Sequence, residues 1–227
     1  MHPSAFAHMR LCVNTYMRRD RHYRVLDVGS RRILTNHRTH RDLLTEHDCD
    51  YVGADVVAGN NVDIVMTKPY RIPVKSNSFD VVMSSQAFEH IPFPWASFLE
   101  MSRIVRPGGF IFLTSPSRGH RHGTTDCWRY YPDSMRAFAA FARMNLREMY
   151  VDMPPRRSGP NSRLDYAAIT RRSYWGDAVG VFQKPDRPSK LVVPIRELII
   201  WWANRVGGVE HIHRPPVAEG RRMVARG

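Results

Sequence analysis

The spacing of apolar and polar positions predicts alternating strands and helices along most of the chain. Short runs rich in Val, Ile, Leu and Phe predict strands, and apolar residues that recur every three or four positions predict amphipathic helices. The predicted strands cover residues 23–28, 50–57, 61–66, 79–84, 110–114 and 175–183. The predicted helices lie within residues 1–20, 38–47, 91–105 and 134–143, with one more in the tail. This alternation is typical of an α/β protein whose mostly parallel sheet has helices on both faces.

Two of the predicted strands end in residues that suit a nucleotide-like ligand. The first strand carries Asp27 and stops at Gly29 and Ser30, and the second ends near Asp55. Open α/β sheets bind such ligands beyond the carboxyl ends of their strands, where an acidic residue can accept hydrogen bonds from ribose hydroxyls. Each strand end is a weak signal alone, because many α/β strands end in this way. Their combination favours a binding crevice at this edge.

Composition limits the protein class without identifying the function. The chain has 227 residues and a net charge of +13, which is compatible with nucleic acid, an acidic membrane surface or an anionic substrate. The arginines are scattered, so a basic soluble surface is an equally good interpretation. No apolar run approaches a membrane span, and no secretion signal is visible. The three cysteines lie far apart, which predicts a reduced, cytoplasmic protein.

The chain divides into a central domain and two helical extensions. Residues 1–20 predict an amphipathic helix that packs on the core, residues 21–185 the domain, and residues 186–227 a helical extension. The apolar stripe of this extension could pack on the domain or on a second copy in a homodimer, and comprises Ile195, Leu198, Ile199, Trp202 and Val206. His37, His40 and His47 match no standard set of metal ligands, so we expect them to be solvated.

Four sequence elements together resemble class I S-adenosylmethionine-dependent methyltransferases. They are V-L-D-V-G-S at residues 25–30, Asp55, S-F-D-V-V-M-S-S-Q-A-F-E-H-I at residues 78–91, and R-I-V-R-P-G-G-F-I-F-L at residues 103–113. The resemblance covers about residues 20–185 and implies a Rossmann-like fold with a mostly parallel seven-stranded sheet. The glycine loop departs from the family pattern, because only the first glycine, Gly29, is kept.

The resemblance also implies which residues contact S-adenosylmethionine. Asp27 and Gly29 would lie at the methionine portion, Asp55 at the ribose, and Ser85 with Gln86 at the exposed face of the cofactor. The full set implied for the cofactor is Asp27, Gly29, Ser30, Asp55, Val56, Ser85 and Gln86.

Two further motifs resemble a subgroup linked to sugar and polysaccharide O-methylation. They are D-C-W-R-Y-Y-P-D at residues 126–133 and W-G-D-A-V-G-V-F at residues 175–182. This resemblance implies a saccharide or oligosaccharide acceptor, covered by inserts at residues 86–95, 115–133 and 152–170. Aromatic residues could form a platform for a sugar ring, although core packing explains them equally well; these are Trp95, Trp128, Tyr130 and Tyr131.

Methyl transfer to an alcohol requires that the hydroxyl lose its proton, and histidine has a suitable pKa. His90 is the first candidate base because it follows the fourth strand. His120 and His122 are the second, with Asp126 available to orient an imidazole. A divalent ion such as magnesium could instead lower the pKa of the hydroxyl, with Glu89, His122 and Asp126 as candidate ligands.

Two other functions remain open from the sequence. The basic charge could indicate a nucleic-acid methyltransferase, but the fourth strand is followed by S-S-Q-A-F-E-H rather than the Asn/Asp-Pro-Pro-aromatic type used on base amines. Nucleic acid is therefore an unlikely partner, although ribose methylation stays open. The altered glycine loop could also indicate a non-catalytic module that has lost the cofactor.

Overall fold

The computed structural model describes residues 2–34, 37–151, 175–187 and 192–206. The strands are β1 Tyr23–Val28, β2 Cys49–Asp55, β3 Ile64–Val65, β4 Phe79–Ser85, β5 Val105–Arg118, β6 Asn145–Val151 and β7 Gly176–Gln183. The helices are α1 Pro3–Tyr16, α2 His40–Leu43, α3 Pro94–Ile104, α4 Pro132–Ala142 and α5 Val192–Val206, with a 3₁₀ turn at Phe88–His90. The predicted insert at residues 152–170 and the tail beyond residue 206 lie outside the described residues.

The seven strands form one sheet in the order β3-β2-β1-β4-β5-β7-β6. β1 to β5 run parallel, and β7 is antiparallel to both of its neighbours, so the sheet is mostly but not purely parallel. After β1 the chain builds the sheet outward on one side through β2 and β3, and then returns to place β4 on the other side. The strand order therefore reverses between β1 and β4. The crevice beyond the carboxyl ends of these two strands is the topological switch point at which such sheets bind ligands.

Helices cover both faces of the sheet, as the alternating sequence pattern predicts. On one face α1 and α2 pack on the central strands, with Met9 in the same apolar cluster as Val81. On the other face α3 and α4 meet where Phe98 stacks on Phe138, with ring centroids 4.9 Å apart. Phe98 also contacts Phe182 of β7 edge-on at 4.7 Å. The central strand β4 is buried along its whole length, which explains its continuous apolar sequence.

Several element boundaries differ from those predicted. The helix expected within residues 38–47 is only the four-residue α2, and the third strand shortens to two residues. β6 follows α4 directly at Asn145 and was not predicted. The R-P-G-G sequence does end α3, but the chain then continues as β5, because a bulge opposite Phe79 accommodates the extra residues. Gly108 supplies the left-handed backbone there, with φ 74°.

The face of α5 that packs on the domain overlaps the predicted stripe at Ile199, which packs against the main core, and at Trp202, whose ring lies 5.7 Å from that of Phe93. Ile200 and Ala203 are 3% and 0% exposed, whereas Leu198 is 63% exposed. Ala203 lies in a small cluster with Tyr70 of the loop before β4, and Asn204 accepts a hydrogen bond from the Tyr70 backbone N–H at 3.0 Å. Of the predicted stripe, Ile195, Leu198, Trp202 and Val206 are all more than 40% exposed. Among the described residues, no helix combines the length and apolar character needed to cross a bilayer.

Candidate active site

A cavity of about 880 Å³ lies at the carboxyl ends of β1, β2 and β4. Asp27, Gly29 and Asp55 line it on one side, and Gln86 and His90 line it on the other. Its volume is in the upper part of the range of small-molecule and cofactor sites. The cavity therefore lies at the switch point and joins the two groups of residues that the sequence predicts for cofactor and acceptor.

The loop after β1 is tied to the end of β2 by its backbone. The N–H groups of Gly29 and Ser30 both donate to the carbonyl of Ala54, at 2.9 and 3.2 Å. The Ser30 hydroxyl donates to the carbonyl of Asn61 at 2.9 Å. Gly29 has φ 79°, and a Cβ at this position would lie 2.5 Å from the Cβ of Ala87. Glycine is therefore required here both by the backbone conformation and by the close approach of the loop after β4.

Asp55 has one backbone donor for each carboxylate oxygen. The N–H of Arg31 donates to Oδ2 at 3.1 Å, and the N–H of Val57 donates to Oδ1 at 3.0 Å. These bonds fix the carboxylate beside the cavity, which Val56 also lines. Because an ionised carboxylate accepts about four hydrogen bonds, acceptor capacity remains for ligand hydroxyls.

Asp27 is buried and held by two side chains. The Tyr51 hydroxyl donates to Oδ2 at 2.5 Å, and His40 Nδ1 lies 2.8 Å from Oδ1. Burial, together with the neighbouring Asp27 carboxylate, raises the pKa of the Tyr51 hydroxyl, which therefore remains a proton donor. The expectation that His40 is solvated is wrong: it is 2% exposed and faces the cavity, because α2 turns it towards the end of β1.

The residues after β4 reach across the sheet to β7. Gln86 has φ 53° and donates through Nε2 to Asp177 Oδ1 at 2.8 Å. The Ser4 hydroxyl of α1 donates to the other oxygen of Asp177 at 2.5 Å. Ser85 shares a 2.6 Å hydrogen bond with Thr114 of β5. Ser85 and Gln86 therefore line the cavity with side chains fixed by neighbouring strands.

Glu89, His90 and His122 form a compact cluster beside the cavity. Their potential ligand atoms all lie within 4.8 Å of one another. His90 Nε2 and His122 Nε2 lie 3.6 and 3.8 Å from the same oxygen, Glu89 Oε1. Glu89 is fully buried, and burial raises its pKa to about 8. Both histidines line the cavity, whereas Glu89 lies behind them.

Asp126 positions this cluster from the opposite side. Burial would raise the pKa of Asp126, but hydrogen bonds from Arg129 and from the His122 backbone outweigh it and hold that pKa below its usual value. The Arg129 guanidinium binds both carboxylate oxygens, at 2.5 and 2.7 Å. His122 Nδ1 lies 3.3 Å from Asp126 Oδ2, so the structure brings these two predicted residues together. His120 also lines the cavity, with its ring 5.9 Å from that of Trp175.

The four aromatic residues predicted for sugar binding are not among the described residues that line the cavity. Tyr130 is 4% exposed and donates to the carbonyl of Phe88 at 2.8 Å. Trp95 and Trp128 contact each other edge-on at 6.0 Å, and Tyr131 is 48% exposed. A tryptophan that does line the cavity is Trp175, the first residue of the second subgroup motif.

The cavity also has a basic rim that sequence reasoning did not assign to the site. Arg31, Arg32 and Arg38 follow β1 and line the cavity together with His2 from the start of the described chain. The sequence signal for this rim was the high Arg and His content of residues 31–47. Since many solvent-exposed loops share that content, the sequence could not show that these residues line a binding cavity.

Comparison with known protein sequences finds a family match for the central part of the chain. Residues 38–113 match a family model described as a methyltransferase domain. An uncharacterised methyltransferase of Mycobacterium avium is 34% identical over 98 residues, which is 41% of this chain and 37% of that protein. A similar protein of Mycobacteroides abscessus is 41% identical over 59 residues, 24% of this chain and 23% of that protein. The chain thus spans less than two fifths of the length of these relatives.

Comparison with solved structures extends the similarity to most of the chain. The YcgJ protein of Bacillus subtilis superimposes with a TM-score of 0.59 at 13% identity, covering 82% of this chain and 100% of that one. A Burkholderia thailandensis 1,6-didemethyltoxoflavin N1-methyltransferase, solved with S-adenosylhomocysteine, gives 0.58 at 12% identity, covering 81% and 79%. This likeness concerns the fold. The matched domain and the strand order together show a Rossmann-like methyltransferase fold.

Proposed function

We propose that this protein is an S-adenosylmethionine-dependent O-methyltransferase whose acceptor is a saccharide hydroxyl. The observation that carries the proposal is the continuous cavity between Asp55 and His90, which has room for a cofactor and part of an acceptor. The cofactor carries the activated methyl group. The protein's main task is therefore to hold the two reactants in line for displacement.

The residues around β1 and β2 would bind the cofactor. Asp55 would accept hydrogen bonds from the ribose hydroxyls, as its remaining acceptor capacity allows. Because Gly29 has no side chain, the methionine portion of the cofactor could approach the backbone at the end of β1. Asp27 would act through its contacts with His40 and Tyr51, since both of its oxygens already have partners.

The histidines at the other end of the cavity would face the acceptor. An alcohol is a poor nucleophile until its proton leaves, and a neutral imidazole is a suitable acceptor for that proton. His90, His120 and His122 all line the cavity within one cluster of rings. Burial lowers the pKa of His122 despite the nearby carboxylate of Asp126, which favours the neutral form at pH 7.

The saccharide assignment rests on the two subgroup motifs and on the position of one of their aromatic residues. Trp175 lines the cavity with its ring centroid 5.0 Å from that of His122, which would let its edge contact a sugar ring bound beside the histidines. The narrower acceptor that we propose is a mannoside, of the kind methylated in mycobacterial methylmannose polysaccharide synthesis. This choice comes from the resemblance of residues 126–133 and 175–182 to that subgroup.

The first test is calorimetric titration of the purified chain with S-adenosylhomocysteine, followed by methyl transfer from labelled S-adenosylmethionine to unmethylated and partly methylated mannosides. We expect Asp55→Ala to weaken cofactor binding by at least about tenfold, from the loss of charge-assisted hydrogen bonds. Asp50→Ala is the matched control, because Asp50 lies on the same strand with its side chain exposed. Absence of binding to the folded wild-type chain would overturn the proposal.

The acceptor class is tested separately. A panel of mannosides, other hexosides and a short RNA is offered with labelled cofactor. Label in a mannoside supports the proposal, and label in RNA alone would overturn it in favour of ribose methylation.

A further inference from the structure

We propose that Glu89, His90 and His122 bind a divalent transition-metal ion of the zinc, iron or cobalt type. The existence of the site follows from side-chain geometry alone. Its role in catalysis rests on the proposed function above.

The first argument is the burial of Glu89. Its side chain is 0% exposed, and among the described residues neither carboxylate oxygen has a hydrogen-bond partner. A buried ionised carboxylate without hydrogen bonds is strongly unfavourable, so such a group is normally protonated, paired or bound to a metal. Arg129, the nearby cation, is already occupied by both oxygens of Asp126. A cation held at Glu89 would satisfy the carboxylate.

The second argument is the spacing of the three side chains. The two histidine Nε2 atoms lie 3.6 and 3.8 Å from Glu89 Oε1. These distances are too long for hydrogen bonds. Ligands at about 2.0–2.1 Å from a tetrahedral ion lie about 3.3 Å from one another. The two pairs that include Glu89 therefore need to contract by only a few tenths of an ångström to coordinate one ion, and the ligand atoms of the two histidines lie within 4.8 Å of each other.

The third argument is the orientation of the imidazoles. A metal-binding histidine usually donates its other ring N–H to a carbonyl or carboxylate, which fixes the tautomer. His90 Nδ1 bonds to the carbonyl of Thr125, and His122 Nδ1 lies 3.3 Å from Asp126 Oδ2. The bond to Thr125 leaves the Nε2 lone pair of His90 free for a metal ion, and His122 Nδ1 lies near a carboxylate without a hydrogen bond to it, so a small ring movement would give His122 the same arrangement.

The donor set determines the class of ion. Two imidazoles and one carboxylate suit zinc, iron, cobalt or nickel, whereas magnesium prefers oxygen ligands. The site thus differs from the expected magnesium set, because His90 replaces Asp126, which instead orients His122. Three protein ligands leave at least one position for an oxygen from the cavity. An acceptor hydroxyl bound there would have a lowered pKa, and His120 would be the histidine left to receive its proton.

The test is titration of the chelator-treated chain with Co²⁺ and Zn²⁺, followed by calorimetry and by the visible absorption of bound Co²⁺. We expect one tight site in the wild type and at least about 100-fold weaker binding in Glu89→Gln and His122→Asn, since loss of a ligand should cost at least as much as loss of its outer-shell partner. The control is His22→Asn, because His22 lies beside Asp48 and Asp50 on the surface, where ions bind adventitiously. It should keep the tight site.

Circular dichroism establishes that each variant is folded. His122 is partly exposed, so its substitution tests the site even if replacement of the buried Glu89 unfolds the protein. Wild-type affinity in both folded variants, or no tight site in the wild type, would overturn the metal proposal. Titration with S-adenosylhomocysteine separates the two proposals. Metal binding without cofactor binding would refute only the proposed function, and cofactor binding without metal binding would refute only the site.

Discussion

Replacing Gly29 with alanine tests whether the loop after β1 has the tight conformation described above. The new side chain would meet two separate obstacles. The backbone has φ 79°, and an alanine in the left-handed region costs about 1–2 kcal/mol. The Cβ would also lie 2.5 Å from that of Ala87, and such overpacking costs about 1–3 kcal/mol. We therefore expect Gly29→Ala to lower the free energy of unfolding by about 2–5 kcal/mol.

A double-mutant cycle separates the two contributions. In Gly29→Ala with Ala87→Gly, the overlap is removed while the backbone strain remains. The cycle should therefore show a favourable coupling energy of about 1–3 kcal/mol between the two substitutions. Gly59→Ala is the control, because its Cβ would meet only the flexible side chain of Arg31 at 3.1 Å.

The assay is urea denaturation monitored by tryptophan fluorescence, with the free energy extrapolated to water. S-adenosylhomocysteine binding is measured on the same variants. The reasoning is refuted if Gly29→Ala destabilises the protein no more than Gly59→Ala. It is also refuted in its steric part if the cycle shows no coupling.

Two further predictions concern buried groups away from the cavity. Lys184 donates to Asn77 Oδ1 and to the main-chain carbonyls of Ser102, in the last turn of α3, and Val105, the first residue of β5, at 2.6–2.8 Å. Lys184→Met should lower the free energy of unfolding by about 1.5–3 kcal/mol, whereas the exposed Lys75→Met should leave it unchanged within about 0.5 kcal/mol in urea denaturation. In thiol titration with Ellman's reagent at pH 8, the exposed Cys127 should react first. Cys12 should stay unreactive until unfolding, because burial raises its pKa to about 12 and suppresses the thiolate. A fast phase that survives Cys127→Ser would contradict this order.

Local sequence patterns predicted the central strands because these patterns are strong there. β1 at Tyr23–Val28 has the predicted bounds, and β4 extends the predicted strand by one residue. β6 was missed because Asn145–Val151, at the sheet edge, carries two adjacent charged residues and only three consecutive apolar ones, too short a run to predict a strand. The face of α5 was assigned only in part, because its most buried residue is the small Ala203 rather than a large apolar side chain.

The site was partly predictable, because residues at strand ends keep a fixed relation to the sheet. The sequence pattern alone places Asp27, Gly29 and Asp55 at one edge, and all three line the cavity. The side chains around them could not be predicted. His40 reaches Asp27 only through the turn of α2, and His122 reaches Glu89 only through the path of the loop after β5. Neither relation leaves a fixed spacing in the sequence.

The position of β7 has a consequence for how the protein is made. The strand at residues 176–183 inserts between β5 and β6, although it follows both of them in the chain. During synthesis β5 and β6 therefore emerge with their inner edges unpaired, and the last part of the sheet cannot assemble until β7 leaves the ribosome. Unpaired apolar edges promote association between chains. A chain that ends before residue 176 should therefore aggregate rather than accumulate as a smaller folded protein.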